Sequence, residues 1–112
     1  MGSKWRKIKY SIIFDRLVPR SSGVYAILKI NRVYGIPTSS STVYVGKTKN
    51  LQRRFKEHLN RSSEENSALA DLIGESAIEF WFQKTSENEM HNFEKTLIKE
   101  TKPEANRILY KN

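Results

Sequence analysis

The sequence predicts an α+β domain built on a small, mainly antiparallel three-stranded sheet flanked by helices. Its 112 residues suffice for one small domain with a modest hydrophobic core. Three short segments alternate in the manner of β-strands, and three others carry helical periodicity or helix-start signals. Their order is strand, strand, helix, helix, strand, helix, which favours segregated helices around an antiparallel sheet.

The three predicted strands are recognised by side chains that alternate with a period of two. The first spans residues 24–30, and residues 42–46 form its antiparallel partner. Residues 35–42 between them contain Pro37 and three serines, which predict a loop. Residues 77–83 predict the third strand, with Ile, Phe and Phe on one face.

The three predicted helices each have a recognisable start. Asn50 can cap a helix that begins one residue later. The capping-box pattern Ser-x-x-Glu occurs at residues 62–65 and again at 86–89. The helix after the first box should end at Gly74. The last helix should end before Pro103, because the residue preceding a proline resists helical geometry.

Positive charge is concentrated in the first half of the chain. Residues 1–61 hold fourteen basic and two acidic residues, a net charge of +12, whereas residues 62–112 carry −4. This asymmetry predicts a polyanionic partner, and nucleic acid is favoured over a membrane because no stretch forms a basic amphipathic surface helix. The alternative is a solvated basic surface without a specific partner.

Composition excludes several classes of protein. The chain has no cysteine and only two histidines, which excludes disulfide scaffolds, thiol nucleophiles, cysteine zinc sites and a histidine metal cage. It has no long apolar segment, no secretory signal, no Walker loop and no dinucleotide-binding glycine pattern. We therefore expect a cytoplasmic, intracellular protein.

The predicted organisation is a basic N-terminal arm at residues 1–18, including a cloning scar at 1–3, followed by a single domain at 19–112. Within the arm, residues 4–10 alternate basic and bulky side chains. This segment is either a free arm or an edge of the sheet.

Glu94 is an anomaly in the last predicted helix. It lies four residues after Met90 and four before Ile98, so the three share one face. A carboxylate on an apolar face costs several kcal/mol unless it is paired, hydrogen-bonded or bound to a metal. The alternative is a position at the edge of the apolar stripe, from which the carboxylate reaches water.

Two further sets of residues have both a functional and a structural interpretation. Arg54 and His58 form an i, i+4 pair on the flank of the first helix, which is either a phosphate-binding pair or a solvated helix face. Tyr25 and Tyr44 lie in the first two strands and can pack at the edge of the core. Gly46 leaves room for a ligand beside the backbone.

Taken together, these residues resemble the GIY-YIG nuclease superfamily over residues 19–106. The two name-giving tripeptides correspond to Gly23-Val24-Tyr25 and Tyr44-Val45-Gly46, each with valine in place of isoleucine. Arg54 lies eight residues after the second glycine, and His58 lies four further on. The four motifs in order make this resemblance specific.

The end of the chain carries the remaining motif. Glu94 is followed by Leu-Ile-Lys and then by Pro103 and Asn106, as in the family. Because Lys47 follows the second glycine, the chain most resembles the nuclease domain of bacterial nucleotide-excision-repair incision proteins. It departs from compact family members by extra residues at 31–42, which resemble an inserted hairpin loop.

The resemblance implies a metal-dependent DNA endonuclease or nickase. The catalytic residues that it implies are Tyr25, Tyr44, Lys47, Arg54, His58 and Glu94. Glu94 would hold one divalent metal, Mg²⁺ or Mn²⁺, and Arg54 would hold the phosphate. Tyr44 is the candidate general base with Lys47 beside it, but the sequence leaves open whether Tyr44 or His58 takes the proton of the attacking water.

The remaining implied roles concern DNA contact and structure. Lys49, Arg53 and Lys56 would contact backbone phosphates, and Gly46 and Asn106 would be structural. Specific recognition would require a partner protein or a dimer, since the chain has no obvious sequence-reading module. The alternative function is a catalytically silent nucleic-acid-binding module of the same fold.

Overall fold

The computed structural model describes residues 4–59 and 78–103. Within these ranges it contains four strands, two α-helices and one short 3₁₀ helix. In chain order these are β1 (Arg6–Lys9), the 3₁₀ helix (Ile12–Leu17), β2 (Gly23–Val33), β3 (Ile36–Thr48), α1 (Leu51–Leu59), β4 (Ile78–Lys84) and α2 (Glu87–Thr101). The predicted helix that starts at residues 62–65 lies outside the described residues.

The four strands form one antiparallel sheet in the order β1-β4-β2-β3. The α+β class is confirmed, but the prediction of three strands is wrong because β1 pairs with β4 as a fourth. Ile8 packs against the core while Lys7 lies 5.4 Å from the Trp81 ring on the other face. One inward apolar residue among cations is typical of an edge strand that is protected from aggregation. Of the two interpretations of residues 4–10, the structure shows the edge of the sheet.

The β2–β3 hairpin is longer than predicted. Residues 36–42 continue β3 and do not form the predicted loop. The reversal takes only Tyr34 and Gly35, whose φ angles are +52° and +84°, and positive φ at both turn residues suits the right-handed twist of a hairpin. Asn31 Nδ2 donates a hydrogen bond of 2.9 Å to Ser39 Oγ. The serines thus belong to a paired strand.

Both faces of the sheet are covered. On one face, Tyr25 and Phe80 pack with Phe55 of α1 in a cluster that also receives the 3₁₀ helix and its flanks. On the other, Val24 and Val45 pack against Met90 of α2. The predicted alternation in β4 is confirmed, since its Ile and two Phe side chains are buried. The sheet therefore has two separate packing faces, one covered by α1 and the other by α2.

The helix ends largely follow the predictions. Asn50 Oδ1 accepts a hydrogen bond from Arg53 N–H at 3.0 Å, which confirms the predicted cap of α1. Ser86 precedes α2, but its hydroxyl bonds to the Glu89 carboxylate at 2.9 Å and the reciprocal backbone bonds of a capping box do not form. α2 ends at Thr101, before Pro103, as predicted. Across residues 4–59 and 78–103, no helix has the length and apolar character needed to cross a membrane.

Candidate active site

Tyr25 is the centre of a hydrogen-bonded cluster between the sheet and α1. Its hydroxyl shares a hydrogen bond of 2.6 Å with His58 Nε2 and accepts a weaker one from Arg54 Nε at 3.3 Å. Its ring stacks on Phe80 with centroids 5.3 Å apart. The i, i+4 spacing on α1 therefore places both Arg54 and His58 against one strand tyrosine, and His58 is completely buried.

Tyr44 completes this group from the neighbouring strand. Its ring centroid lies 6.1 Å from that of Tyr25, and it meets the His58 imidazole edge-on at 5.4 Å. Tyr44 is 8% exposed and His58 is not exposed at all. Both candidate bases are buried, and Tyr44 is the less buried of the two.

Gly46 lies directly opposite Tyr25 in the β2–β3 register. A Cβ atom at this position would overlap the Tyr25 hydroxyl and the ring carbon that bears it. The space beside Gly46, which the sequence suggested was open to a ligand, is therefore occupied by the Tyr25 ring. Glycine is required here by the close approach of a side chain across the strand pair.

Arg54 is half-buried and faces two kinds of acceptor. Besides its bond to Tyr25, its Nη1 donates to Glu57 Oε1 at 3.1 Å. Burial alone would lower the pKa of Arg54, but Tyr25, Glu57 and Tyr44 together raise it above its ordinary value. Arg54 is therefore a permanent cation held in a fixed orientation. Glu57 was missed by sequence reasoning, although its i, i+3 spacing from Arg54 is a usable signal.

Glu94 is buried, as its position between Met90 and Ile98 predicted, with 6% of its surface exposed. Lys47 Nζ lies 3.7 Å from its Oε1 in a loose ion pair. Burial raises the pKa of Glu94, while the positive charges of Lys47 and His91 act to lower it. His91 itself is exposed, one turn before Glu94 on α2. The alternative, in which the Glu94 carboxylate reaches water from the edge of the apolar stripe, is wrong.

The site residues form two groups on the two sides of β3. Tyr44 points toward α1, whereas Lys47 is two residues beyond Val45 and, by strand alternation, lies on the α2 side with Glu94. β3 is at the edge of the sheet. A ligand at this edge can therefore contact a phenol and a guanidinium from one face, and an ammonium and a carboxylate from the other.

The donor set fits a hard divalent cation held by few protein ligands. In the described part of the chain, no three His, Asp or Glu side chains gather as a multi-ligand cage requires. Glu94 offers a single buried carboxylate. Mg²⁺ commonly binds through one or two carboxylates and retains waters and substrate phosphates as its other ligands. The residues present are thus compatible with such an ion.

The residues predicted to contact DNA all lie on or just before α1, and each forms a loose ion pair. The three pairs are Lys49–Glu87 at 3.9 Å, Arg53–Glu57 at 3.8 Å and Lys56–Asp15 at 3.4 Å. Exposed pairs of this kind contribute little to stability, so the cations remain available to phosphates. Asn106, the other predicted structural residue, lies outside the described residues.

A sequence profile of the GIY-YIG catalytic domain matches residues 21–108. The chain belongs to the GIY-YIG family. The profile spans both tripeptides, α1 and Glu94, so it covers every described residue of the site. The match to a nuclease catalytic domain agrees with the geometry of a cationic cluster beside a buried carboxylate.

The chain is also similar to curated proteins named UvrABC system protein C. The chain is 37% identical over 94 residues to UvrABC system protein C of Fusobacterium nucleatum, which covers 82% of the chain. It is 32% identical over 94 residues to the protein of the same name from Koribacter versatilis, covering 84% of the chain. The chain spans only 14% of the length of these two relatives.

Solved structures show the same fold. The GIY-YIG N-terminal endonuclease domain of UvrC from Thermotoga maritima, bound to magnesium as its catalytic divalent cation, superposes with a TM-score of 0.55. The identity is 28%, over 83% of this chain and 91% of that one. An asparagine-to-alanine variant of that domain, also bound to its catalytic cation, gives 29% identity and a TM-score of 0.55, over 83% of this chain and 90% of that one. This chain thus has the fold of a UvrC nuclease domain.

Proposed function

We propose that this chain is a metal-dependent DNA endonuclease or nickase that hydrolyses phosphodiester bonds. The observation that carries the proposal is the buried Glu94 carboxylate, held beside Lys47 at the sheet edge that also presents Tyr44 and Arg54. A carboxylate with a raised pKa on an apolar helical face weakens the fold, so its presence favours a role in binding a cation. The magnesium-bound relatives support this assignment.

Glu94 would hold the metal, and Mg²⁺ or Mn²⁺ suits its oxygen donors. When bound, such an ion supplies Lewis-acid stabilisation of charge on the phosphate. Lys47 adds a second positive charge at the same place, since its ammonium is already within 3.7 Å of the carboxylate. The chain thus directs two cations, Lys47 and Arg54, toward one edge.

Arg54 would bind the scissile phosphate and offset the negative charge that grows in the transition state. Its guanidinium is held by Tyr25 and Glu57, so little orientation is lost when a phosphate binds. Tyr44 would take the proton of the attacking water, because part of its side chain is exposed whereas His58 is completely buried. His58 and Tyr25 then act as positioning residues that hold Arg54 and the Tyr44 ring.

The proposal is tested by incubating supercoiled plasmid with the chain in Mg²⁺, in Mn²⁺ and in EDTA. We expect conversion to nicked DNA with either metal and none in EDTA. Glu94→Ala should abolish conversion while circular dichroism and DNA binding stay close to wild type. The ratio of nicked to linear product distinguishes a nickase from an enzyme that cuts both strands, as a dimer or with a partner protein.

Glu100→Gln is the matched control, since it removes an exposed carboxylate from the same helix. It should cleave at the wild-type rate. Wild-type cleavage by Glu94→Ala would refute the metal assignment. Salt-sensitive DNA binding without cleavage in any metal would instead support the alternative, a catalytically silent nucleic-acid-binding module.

A further inference from the structure

The outer half of the β2–β3 hairpin extends beyond the rest of the described sheet. Strand β4 pairs with β2 only as far as Lys29, opposite Ile78. Among residues 4–59 and 78–103, β2 and β3 pair beyond that point only with each other, and residues 31–41 are all exposed. We call residues 30–41 the ribbon. Its two strands are continuous with those that carry Tyr25 and Tyr44, so its position relative to the catalytic cluster is fixed.

The tip of the ribbon is apolar and conformationally unusual. Val33, Tyr34 and Ile36 are exposed, and Tyr34 is fully so. Tyr34 also has a φ angle of +52°, a left-handed conformation that bulky residues rarely adopt and that asparagine or glycine adopts easily. Folding alone therefore favours a different residue here. A tyrosine that is strained and exposed is better explained by a contact with another molecule.

The polar groups and charge of the ribbon indicate which kind of molecule it contacts. No acidic residue occurs between Asp15 and Glu57, so the whole hairpin lacks carboxylates. Four consecutive residues of the ribbon, 38–41, carry hydroxyl groups, and Arg32 adds a cation at the edge, 3.8 Å from Glu79. Hydroxyls, amides and cations are the groups that contact DNA phosphates. A two-stranded ribbon also fits the major groove of B-DNA.

We infer that the ribbon is a second DNA-binding element, with Tyr34 as its terminal contact. This inference rests on the proposed function, because it extends the DNA surface of the same nuclease site. Eight residues of β3 separate Tyr44 from Ile36, which at about 3.3 Å per residue is about 26 Å. At 3.4 Å per base pair, the tip contacts duplex DNA about eight base pairs from the cleaved phosphate.

Binding to duplexes of different length distinguishes the DNA contact at the ribbon tip from the DNA contact at the proposed active site. Affinity is measured by fluorescence anisotropy for duplexes of 8, 12, 16, 20 and 24 base pairs in EDTA, where no cleavage occurs. Tyr34→Asn should weaken binding roughly tenfold on the longest duplexes, as loss of one good contact to a base edge in the groove does, and leave the 8-base-pair duplex unchanged. The melting temperature should stay the same or rise, because asparagine suits the turn. Ile13→Asn, which changes an exposed isoleucine outside the ribbon, is the matched control.

The absence of cysteine permits a direct test of contact. Tyr34→Cys, labelled with a benzophenone maleimide, should cross-link to a 24-base-pair duplex on illumination. Glu100→Cys on α2 should give only background cross-linking.

The outcomes separate the inference from the proposed function. Equal affinities of Tyr34→Asn and wild type at every length, with no cross-link, would overturn the inference and leave the nuclease intact. Conversion of a wild-type dimer to a monomer by Tyr34→Asn, with DNA affinity unchanged, would make the tip a protein contact instead. Failure of the wild-type chain to bind or cleave any duplex would contradict both the proposed nuclease function and the inference about the ribbon.

Discussion

The Tyr25 hydroxyl and His58 Nε2 share a hydrogen bond of 2.6 Å within the core, and Tyr25 also receives Arg54. Tyr25→Phe removes this hydroxyl and retains the ring that stacks on Phe80. We expect the free energy of unfolding to fall by about 1–2 kcal/mol, as for other buried hydrogen bonds. Cleavage should fall as well, because Arg54 loses one of its two acceptors.

Tyr10→Phe is the control for Tyr25→Phe. The Tyr10 hydroxyl donates to the Phe55 carbonyl at 2.9 Å, also within the core but among residues without a proposed catalytic role. Urea unfolding should show a similar loss of stability in both variants, while plasmid cleavage should fall only in Tyr25→Phe. Equal cleavage by the two variants would mean that Tyr25 serves the fold alone.

Gly46→Ala should disturb the site through Tyr25. The new methyl group would overlap the Tyr25 hydroxyl, so the ring must move away from its present position. Overpacking of this kind typically costs about 1–3 kcal/mol, and we expect a parallel loss of cleavage. In a double-mutant cycle with Tyr25→Leu, the cost of Gly46→Ala should largely disappear, because the ring that it meets is gone. If the stability losses of Gly46→Ala and Tyr25→Leu were additive, the strain caused by the new methyl group would not come from the Tyr25 ring.

Stability of the metal-free chain should depend on Glu94 and pH. Since burial raises the folded pKa of Glu94 above its ordinary value of 4.5, the folded chain holds this proton more tightly than the unfolded chain. The free energy of unfolding therefore falls as pH rises from the pKa of Glu94 in the unfolded chain to its higher pKa in the folded chain. In EDTA, Glu94→Gln should melt at a higher temperature than wild type at pH 7, and the difference should vanish below about pH 4.5. A variant no more stable than wild type at pH 7 would mean that Lys47 fully compensates the buried charge.

The site could be predicted from sequence better than the fold around it. The i, i+4 spacing of Arg54 and His58 is local, helical periodicity placed Glu94 on one face with Met90 and Ile98, and the family resemblance implied the roles of all three. The approach of Tyr25 to Gly46 could not be predicted, because it depends on the register between β2 and β3. Register is a property of the paired strands and has no local signal.

Two parts of the sheet could not be assigned as strands from local propensity, since the sequence predicts a loop at residues 35–42 and either a free arm or a sheet edge at residues 4–10. The serines and Pro37 of β3 have low strand propensity, and their pairing is imposed by the two-residue turn at Tyr34 and Gly35. β1 is four residues long with a single inward apolar residue, Ile8. Tertiary pairing overrides local propensity in both.

Salt dependence of DNA binding should distinguish Lys49 from Lys56, two of the cations near α1. The side chain of Lys49 is 74% exposed, whereas that of Lys56 is 47% exposed and lies 3.4 Å from Asp15. Lys49→Gln should reduce the slope of log affinity against log salt by about 1, the value for one lost phosphate contact. Lys56→Gln should change it less, because its charge is partly neutralised by Asp15. Anisotropy titrations between 50 and 200 mM salt, about the range over which such slopes are large, provide the measurement; equal slopes for both variants would contradict this ranking.

Arg54 should prove more important for catalysis than for affinity. Arg54→Ala removes the guanidinium that Tyr25 and Glu57 orient, and we expect the cleavage rate to fall by about 10³ while duplex affinity changes only a few-fold. Arg54→Lys should recover little, because an ammonium keeps the charge but cannot make the two parallel hydrogen bonds of a guanidinium to phosphate. Single-turnover cleavage at saturating protein separates the two effects. Arg53→Ala, one residue earlier and more exposed, should show the opposite balance, with weaker binding and an unchanged single-turnover rate. If Arg54→Ala instead matches Arg53→Ala in both measurements, Arg54 only positions the DNA.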